Sequence, residues 1–289
     1  MSAALQFRLA EAQETRALFG HSSATPLLEA LLARGAGLLA LIEGAPVGIT
    51  VSLSDAHRAE ILSCSVAAEH RGRGYARAML DALRGEGERC LSALVRCDEP
   101  AEFGALHHLV GPVQRTYFGY SMPLPGSDTL AAQIDIESSV RVRAIEFQRD
   151  AAILSSLDAL AGRAQDPVLH EALASLAEGL LFERSDGEAV AYVYAHPDGA
   201  IGPAAASGGR ALTSAILYAC ERLRRCGAER MRLWLPAQNA DLPTRVLHEC
   251  GARVFASALL LGEPEVARGI DLPLCDMLRG EPTGRSSAW

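Results

Sequence analysis

The sequence contains no lysine, so all 27 of its basic residues are arginine. It also has no run of about 20 consecutive apolar residues, the length that a helix needs to cross a bilayer. The net charge is acidic, −8 at pH 7, and no basic segment of the kind that attracts nucleic acid stands out. We therefore expect no membrane span and no nucleic-acid partner.

Cysteine pairs of the Cys-x-x-Cys type are missing as well. The seven cysteines are an odd number and are scattered along the chain, which predicts neither a disulfide framework nor a metal site. Charged residues such as Arg8 and Glu11 precede any long apolar segment, unlike in a secretory signal peptide. We expect a cytoplasmic protein, and the sequence leaves its oligomeric state open, a homodimer included.

A length of 289 residues is typical of two domains, at about 150 residues each. When the sequence is compared with itself at an offset of about 140 residues, the two halves show one pattern. A hairpin strand predicted at 47–53 recurs at 189–195. The polar segment 123–139 has the composition of a linker. These features predict an N-terminal domain, residues 1–135, and a C-terminal domain, residues 136–289.

Each half shows the same order of predicted elements: strand, helices, three strands, helix, strand, helix, strand. Apolar stripes predict helices at 77–83 and 212–225, and helical periodicity also occurs at 166–178. The sequence therefore predicts an α/β (α+β) fold built twice.

The segment 60–80 contains the most informative motif. A strand from Ala59 to Val66 is followed by Arg71-Gly72-Arg73-Gly74, which opens directly into a helix. Unpaired backbone amides at a helix N-terminus and the helix dipole together favour an anion. Glycine allows close approach of the backbone, and arginine pairs with phosphate oxygens. The motif predicts a phosphate-binding loop, with a basic surface turn as the alternative.

This motif resembles that of a known family. The pattern Arg71-x-x-Gly74-x-Ala76 after a strand ending in Val66 resembles the Arg/Gln-x-x-Gly-x-Gly/Ala pyrophosphate loop of the GNAT acetyltransferase superfamily. The resemblance implies two tandem GNAT-like modules, each with a mixed, mostly antiparallel sheet flanked by helices, and acetyl-CoA as co-substrate. It also implies a set of cofactor-binding residues: Cys64, Ser65, Val66, Arg71, Gly72, Arg73, Gly74, Tyr75, Ala76 and Arg77.

Other phosphate-binding families fit less well. The chain has no Gly-Lys-Ser/Thr of the Walker type, and the loop lacks the G-x-G-x-x-G of a dinucleotide site.

Acyl transfer to an amine requires removal of a proton, because an amine with a pKa near 10.4 is protonated at pH 7. Its deprotonation at that pH costs about 4.6 kcal/mol. Ala59-Glu60-Ile61 resembles the Ala-Glu-Ile of the histone-acetyltransferase branch, which implies that Glu60 is the catalytic base. The alternative is a solvated carboxylate on a strand.

The family's general acid, a tyrosine four residues before a glycine, has no direct match here. Counting back from Gly111 gives His107, whose imidazole is able to donate a proton near neutral pH. Tyr117 and Tyr120 on the next strand are alternatives, and Cys64 is a less favoured candidate nucleophile.

The second half departs from the motif. At the offset of about 140, Arg71, Gly74 and Ala76 correspond to Ala211, Ser214 and Ile216. The nearby Ser207-Gly208-Gly209-Arg210 has the wrong spacing and is typical of a turn, so we expect a degenerate C-terminal module. The resemblance implies an N-acetyltransferase in which a primary amine of a small molecule or peptide attacks acetyl-CoA directly. A noncatalytic acyl-CoA sensor and a pure interaction protein are the alternatives.

Overall fold

A computed structural model describes residues 5–11, 14, 25–85, 89–98, 100–124, 140–238, 240–262 and 270–272. The strands are β1 Leu5–Leu9, β2 Gly37–Ile42, β3 Ala45–Ser54, β4 Arg58–Val66, β5 Cys90–Arg96, β6 Val113–Pro123, β7 Val140–Ala144, β8 Glu178–Arg184, β9 Ala189–Ala195, β10 Ile201–Ala206, β11 Arg230–Pro236, β12 Arg253–Gly262 and β13 Ile270–Leu272. The helices are α1 Pro26–Leu32, α2 Tyr75–Arg84, α3 Pro100–Val110, α4 Phe147–Ala161, α5 Pro167–Leu173, α6 Gly209–Arg225 and α7 Asp241–Glu249, with a short 3₁₀ turn at Ala68–His70.

The strands form two sheets. One sheet has eight strands in the order β1-β2-β3-β4-β5-β12-β6-β11, and the other has five in the order β13-β10-β9-β8-β7. Neighbouring strands are antiparallel except β4 and β5, which are parallel. The predicted α/β fold is confirmed. The eight-stranded sheet is mixed and mostly antiparallel, as predicted, whereas the described strand pairs of the five-stranded sheet are all antiparallel.

The two halves of the chain exchange their last strands. Strand β12, from the second half, lies between β5 and β6, with Leu260 opposite both Leu94 and Arg115. Strand β6, from the first half, lies between β12 and β11, where Tyr120 pairs with Leu233. The eight-stranded sheet is therefore built from both halves of the chain, whereas the described strands of the five-stranded sheet all come from the second half. The predicted boundary at residue 135 lies outside the described residues and stays a prediction.

The hydrophobic core also crosses between the halves. One cluster of buried side chains brings Leu28 and Leu31 of α1 together with Leu157 of α4 and Leu173 of α5. A second cluster, around α6, includes Tyr120 of β6. Both clusters need side chains from both halves, so burial of apolar surface holds the halves together.

The helices begin where the sequence provides caps. The Thr25 hydroxyl accepts a hydrogen bond from the Leu28 amide, and Pro26 follows as the first helical residue of α1. Asp166 and Pro167 start α5 in the same way. The periodicity at 166–178 is thus confirmed as a helix only to Leu173, since Glu178 already begins β8.

Helix α4 is an element that the sequence did not predict. Its inward face carries two buried carboxylates, Asp150 and Asp158, beside Leu154 and Leu157. These acidic residues interrupt the apolar stripe by which an amphipathic helix is usually found.

Among the described residues, no helix combines the length and the apolar character needed to cross a bilayer.

Candidate active site

The site is built on β4, which is irregular at its centre. Its pairing with β3 shifts register between Ser63–Val51 and Ile61–Ser52, so Leu62 is an extra, bulged residue. On its other edge, β4 pairs with β5 from Arg58–Cys90 to Ile61–Ala93. No ladder pair between the described residues of these two strands continues beyond that point. The strands separate after Ile61 and leave one edge of β4 open.

Three of the predicted cofactor-binding residues lie along this open edge. Cys64, Ser65 and Val66 are half-buried, and their other edge pairs with β3. The Cys64 thiol accepts a hydrogen bond from the Thr50 hydroxyl at 3.5 Å and packs beside Met79 of α2. The open edge therefore offers the backbone groups of these residues, as an extended guest such as a pantetheine arm requires.

The loop after β4 leaves a series of amides available. In the described part of the chain, the amides of residues 72–77 donate to no protein acceptor, and the first amide paired within the helix is that of Ala78, to the Gly74 carbonyl. Helix α2 has no side-chain cap and no acidic residue in its first turn. The helix dipole and the amides thus give this position an uncompensated positive potential.

Glycine is required at two positions of this loop. Gly72 and Gly74 have φ angles of 73° and 83°, in the left-handed region that other residues adopt at a cost. A Cβ atom at either position would meet no other atom within 4 Å. The space in front of the loop is therefore open to a guest.

The remaining loop residues surround these amides. Arg71 and Arg73 are exposed, and the Arg71 Nε donates to the Val66 carbonyl at 3.1 Å, which fixes the side chain at the end of β4. Tyr75 and Ala76 are half-buried in the first turn of α2, and Arg77 is exposed there. The structure brings all ten predicted cofactor-binding residues into one continuous surface.

Glu60 lies on β4 one residue before the last ladder pair. Its neighbours Ala59 and Ile61 are buried against α2 and α3, and side chains alternate along a strand. Glu60 therefore points to the opposite face, where it lines a cavity together with Ser92 and Arg115. Glu60 is half-buried at this cavity.

His107 lies on the other side of the same sheet. Helix α3 packs Leu106 and Val110 against the cluster that contains Ile61, while the His107 side chain is exposed. Groups from the two faces of a sheet meet only where its strands separate. A role for both Glu60 and His107 in one reaction thus requires the gap between β4 and β5.

The alternative acids on β6 are less suitably placed. Tyr117 is 1% exposed and accepts a hydrogen bond from Arg115 at 3.4 Å. Strands β5 and β12 separate it from β4, a distance of about 14 Å at the usual strand spacing. Tyr120 is buried against His248.

The second half of the chain reaches the site through one loop. The Asp166 carboxylate accepts the Ser54 amide at 2.8 Å, and the Asp55 carboxylate accepts the Gln165 amide at 2.9 Å. The Arg58 guanidinium also donates to the Arg163 carbonyl at 3.2 Å. The hairpin between β3 and β4 is thereby joined to the loop between α4 and α5, next to Glu60.

A buried polar network lies next to the loop between α4 and α5. The Asp158 carboxylate accepts from the Tyr192 hydroxyl at 2.5 Å and contacts the His170 Nε2 at 2.7 Å. The His170 Nδ1 lies 3.1 Å from the Tyr194 hydroxyl. Burial, and then the nearby Asp158 charge, raise the pKa of both tyrosines, so these phenols stay protonated.

The matching region of the second half has a shorter loop and a covered strand edge, although Ser207 to Ala211 there line a cavity of about 300 Å³. Residues 67–74 connect β4 to α2, whereas only residues 207–208 connect β10 to α6, so Ala211, Ser214 and Ile216 are already helical. Strand β13 pairs with Ala204, Ala205 and Ala206 of β10, and a single parallel bridge, Ala200–Arg232, joins the neighbouring chain segments. A strand thus covers the edge that is open in the first half.

Sequence reasoning missed several residues at this site. Arg58 was detectable, because it stands two positions before Glu60 and so on the same face of β4. Arg115 and Arg163 reach the Glu60 cavity only through the tertiary arrangement, and no local pattern signals them. Within the described ranges, no group of three or more His, Cys, Asp and Glu side chains is arranged to hold a metal ion.

Comparison with known proteins finds a matching family for the first part of the chain. Residues 6–104 match the model of the acetyltransferase (GNAT) family. No curated protein matches the sequence.

Several solved structures have the same fold over nearly the whole chain. A putative acetyltransferase from Pyrococcus horikoshii is 15% identical with a TM-score of 0.59, and the match covers 91% of this chain and 90% of that one. A GCN5-related N-acetyltransferase from Sphaerobacter thermophilus is 13% identical with a TM-score of 0.51, over 90% and 95% of the two chains.

A tandem GNAT protein from the clavulanic acid biosynthesis pathway is 17% identical with a TM-score of 0.55, over 90% of this chain and 98% of that one. At these identities the likeness shows a shared fold. The predicted resemblance is thus confirmed at the level of the fold: residues 6–104 match the acetyltransferase (GNAT) family, and the chain has the fold of GNAT proteins.

Proposed function

We propose that this protein is an N-acetyltransferase that moves an acetyl group from acetyl-CoA to a primary amine. The observation that carries the proposal is the series of amides at residues 72–77, which have no protein acceptor in the described part of the chain and lie beside the open edge of β4. A diphosphate is a chemical match for such amides. An extended arm with amide groups is a match for the strand edge.

In this proposal the cofactor residues act at two places. The amides of Gly72 to Arg77 bind the diphosphate, and Arg71 and Arg73 add positive charge. Cys64, Ser65 and Val66 hold the pantetheine arm by backbone hydrogen bonds. The thioester then lies in the gap that begins after Ile61.

The acceptor amine attacks the thioester carbonyl directly. Before the attack, the ammonium proton passes to Glu60. A nitrogen–carbon bond then forms and the carbon–sulfur bond breaks, the remaining extra proton on the nitrogen passes to water, and the departing CoA thiolate takes a proton from His107. Glu60 fits the role of base because it lines a cavity next to the gap and is half-buried. Direct attack leaves Cys64 without a covalent role.

The C-terminal module keeps the fold without binding its own acyl-CoA. The short 207–208 connection and the pairing of β13 with β10 support this part of the proposal. Its contribution is the loop at 163–166, which contacts the β3–β4 hairpin beside Glu60. The second module thereby completes the acceptor side of the site.

The alternative is an acyl-CoA sensor that binds the same ligand without chemistry. Two measurements separate the two functions. Acetyl-CoA at 100 times its dissociation constant stabilises either protein by about 2.7 kcal/mol. Release of free thiol on addition of amines occurs only with the enzyme. Binding without thiol release across a broad amine panel would favour the sensor, and no stabilisation by acetyl-CoA would overturn both.

A further inference from the structure

The cavity beside Glu60 is formed by both halves of the chain. It has a volume of about 150 Å³. The eight-stranded sheet supplies Glu60, Ser92 and Arg115, and the loop after α4 supplies Arg163. Cavities of this volume in other proteins hold a molecule of the size of benzene. A small acceptor, or the reactive end of a larger one, fits this space.

The charge of the cavity wall is opposite to that of the protein. Arg58, Arg115 and Arg163 line the cavity, and among the described residues that line it Glu60 is the one acidic group. The Asp158 Oδ1 lies 3.9 Å from the Arg163 Nε, and the nearby Arg58 charge helps to lower the pKa of Asp55. Neither of these carboxylates lines the cavity. Guanidinium groups therefore dominate this wall in a chain with a net charge of −8.

Arg163 is a buried residue of the cavity wall. Its side chain is 4% exposed, and burying a charged group is costly unless partners compensate. Asp158, whose Oδ1 lies 3.9 Å from the Arg163 Nε, is itself fixed by Tyr192 and His170. Asp158 and the surrounding protein therefore restrict the Arg163 side chain more than solvent restricts a surface arginine.

We propose that the acceptor carries an anionic group, a carboxylate or a phosphate, within the same small molecule as its amine. This inference rests on the proposed acetyltransferase function and names the class of its substrate. The amine lies at Glu60, within reach of the base, and the anionic group pairs with Arg115 and Arg163. Arginine binds both anions through two parallel hydrogen bonds.

The experiment compares acceptors that differ only in the anion. β-Alanine is tested against propylamine, and phosphoethanolamine against ethanolamine, with acetyl-CoA and thiol release as the readout. Hydrogen bonds to charged groups predict a kcat/KM at least tenfold higher for the anionic member of a pair. A preference in the first pair identifies a carboxylate, and one in the second pair a phosphate.

The variant Arg115→Gln removes one of the guanidinium groups, and Arg115→Glu reverses its charge. We expect the preference to fall in the first variant and to fall further in the second. Arg141→Gln, an exposed arginine on β7, is the matched control and leaves the preference unchanged. Melting temperatures with each acceptor in the presence of CoA give a second readout that requires no turnover.

Equal or better use of propylamine and ethanolamine would overturn the inference, as would stabilisation by neither anionic compound. These results leave the proposed function intact if acetyl-CoA still stabilises the protein and other amines are acetylated. Failure of acetyl-CoA to stabilise the protein would instead remove the proposed function itself.

Discussion

Ile61 and Ala93 form the last ladder pair between β4 and β5, and the two strands separate beyond it. The bulge at Leu62 follows immediately. Both features act together, since the bulge bends β4 away just where its edge loses a partner. The open edge of β4 leads along the chain to the amides of residues 72–77 at the start of α2.

Gly74 provides a direct test of the loop. In Gly74→Trp the indole occupies the open space in front of the amides, and we expect the stabilisation by acetyl-CoA to disappear. Thermal melting with and without acetyl-CoA measures this effect, which for the unaltered protein is roughly 5 °C or more near 100 times the dissociation constant.

Gly187→Trp is the control for backbone strain. Gly187 lies in the β8–β9 turn and also has a positive φ, 86°, and a Cβ atom there would likewise meet nothing within 4 Å. We expect this variant to lose stability to a similar degree and to keep its response to acetyl-CoA. An undiminished response in Gly74→Trp would contradict the assignment of the loop.

Glu60→Gln tests the base. The amide cannot accept the amine proton, so we expect kcat/KM to fall by about 100-fold or more near neutral pH, with less effect at high pH, where the amine is already deprotonated. Thiol release between pH 6 and pH 10 gives the profile, and Glu171→Gln, a partly exposed site on α5, serves as the control. A profile identical to that of the unaltered protein would exclude Glu60 as the base.

If only the N-terminal module binds CoA, each chain binds one CoA molecule. Titration calorimetry of the unaltered protein should give a stoichiometry of one. Arg210→Ala, at the start of α6, should leave that value unchanged because β13 covers the equivalent strand edge. A measured stoichiometry of two would show that the C-terminal module binds the ligand as well.

The exchanged strands predict that the halves depend on each other. Cutting the chain near residue 135 leaves β5 without β12 and β11 without β6. We expect each fragment alone to be insoluble or unfolded, and the two fragments produced together to assemble and bind acetyl-CoA. Circular dichroism and size-exclusion chromatography measure this. A cooperatively folded, monomeric N-terminal fragment would contradict the account.

Asp150 predicts a specific loss of stability in acid. Burial by itself raises its pKa, but hydrogen bonds from Arg143, the Glu146 amide and Arg149 outweigh burial and hold the pKa at about 2, below its ordinary value of 3.8. The unfolded chain therefore binds the proton first as pH falls from about 4 to 2. The stabilisation, roughly 2 kcal/mol, is present above pH 4 and is lost over this range.

Urea unfolding at pH 7 and pH 3 checks this pH dependence. Asp150→Asn should be less stable than the unaltered protein at pH 7, and the difference should shrink at pH 3. A difference that is constant with pH would mean that the Arg143–Asp150 ion pair does not contribute to acid sensitivity.

Local patterns in the sequence predicted the central part of the site well. The strand predicted from Ala59 to Val66 is observed as Arg58–Val66, and the helix follows Gly74 as expected. Alternation, glycine content and helix periodicity are properties of neighbouring residues, so one segment suffices to reveal them.

The remaining features depend on contacts between distant segments. Nothing near Arg253 signals that β12 inserts beside β5, and nothing near Arg163 signals that it faces Glu60. Helix α4 was missed because its inward face carries Asp150 and Asp158, whose partners come from β7, α5 and β9. Buried polar networks and strand exchange are decided by tertiary packing, which a local pattern does not encode.

The most direct test of the central claim is a titration of the ¹⁵N-labelled protein with CoA, followed through its glycine amide resonances. Binding of the diphosphate at the start of α2 predicts large shifts at Gly72 and Gly74, with Gly208 and Gly209 unchanged. Shifts confined to Gly208 and Gly209, or no shift at Gly72 and Gly74 at saturating CoA, would contradict the account.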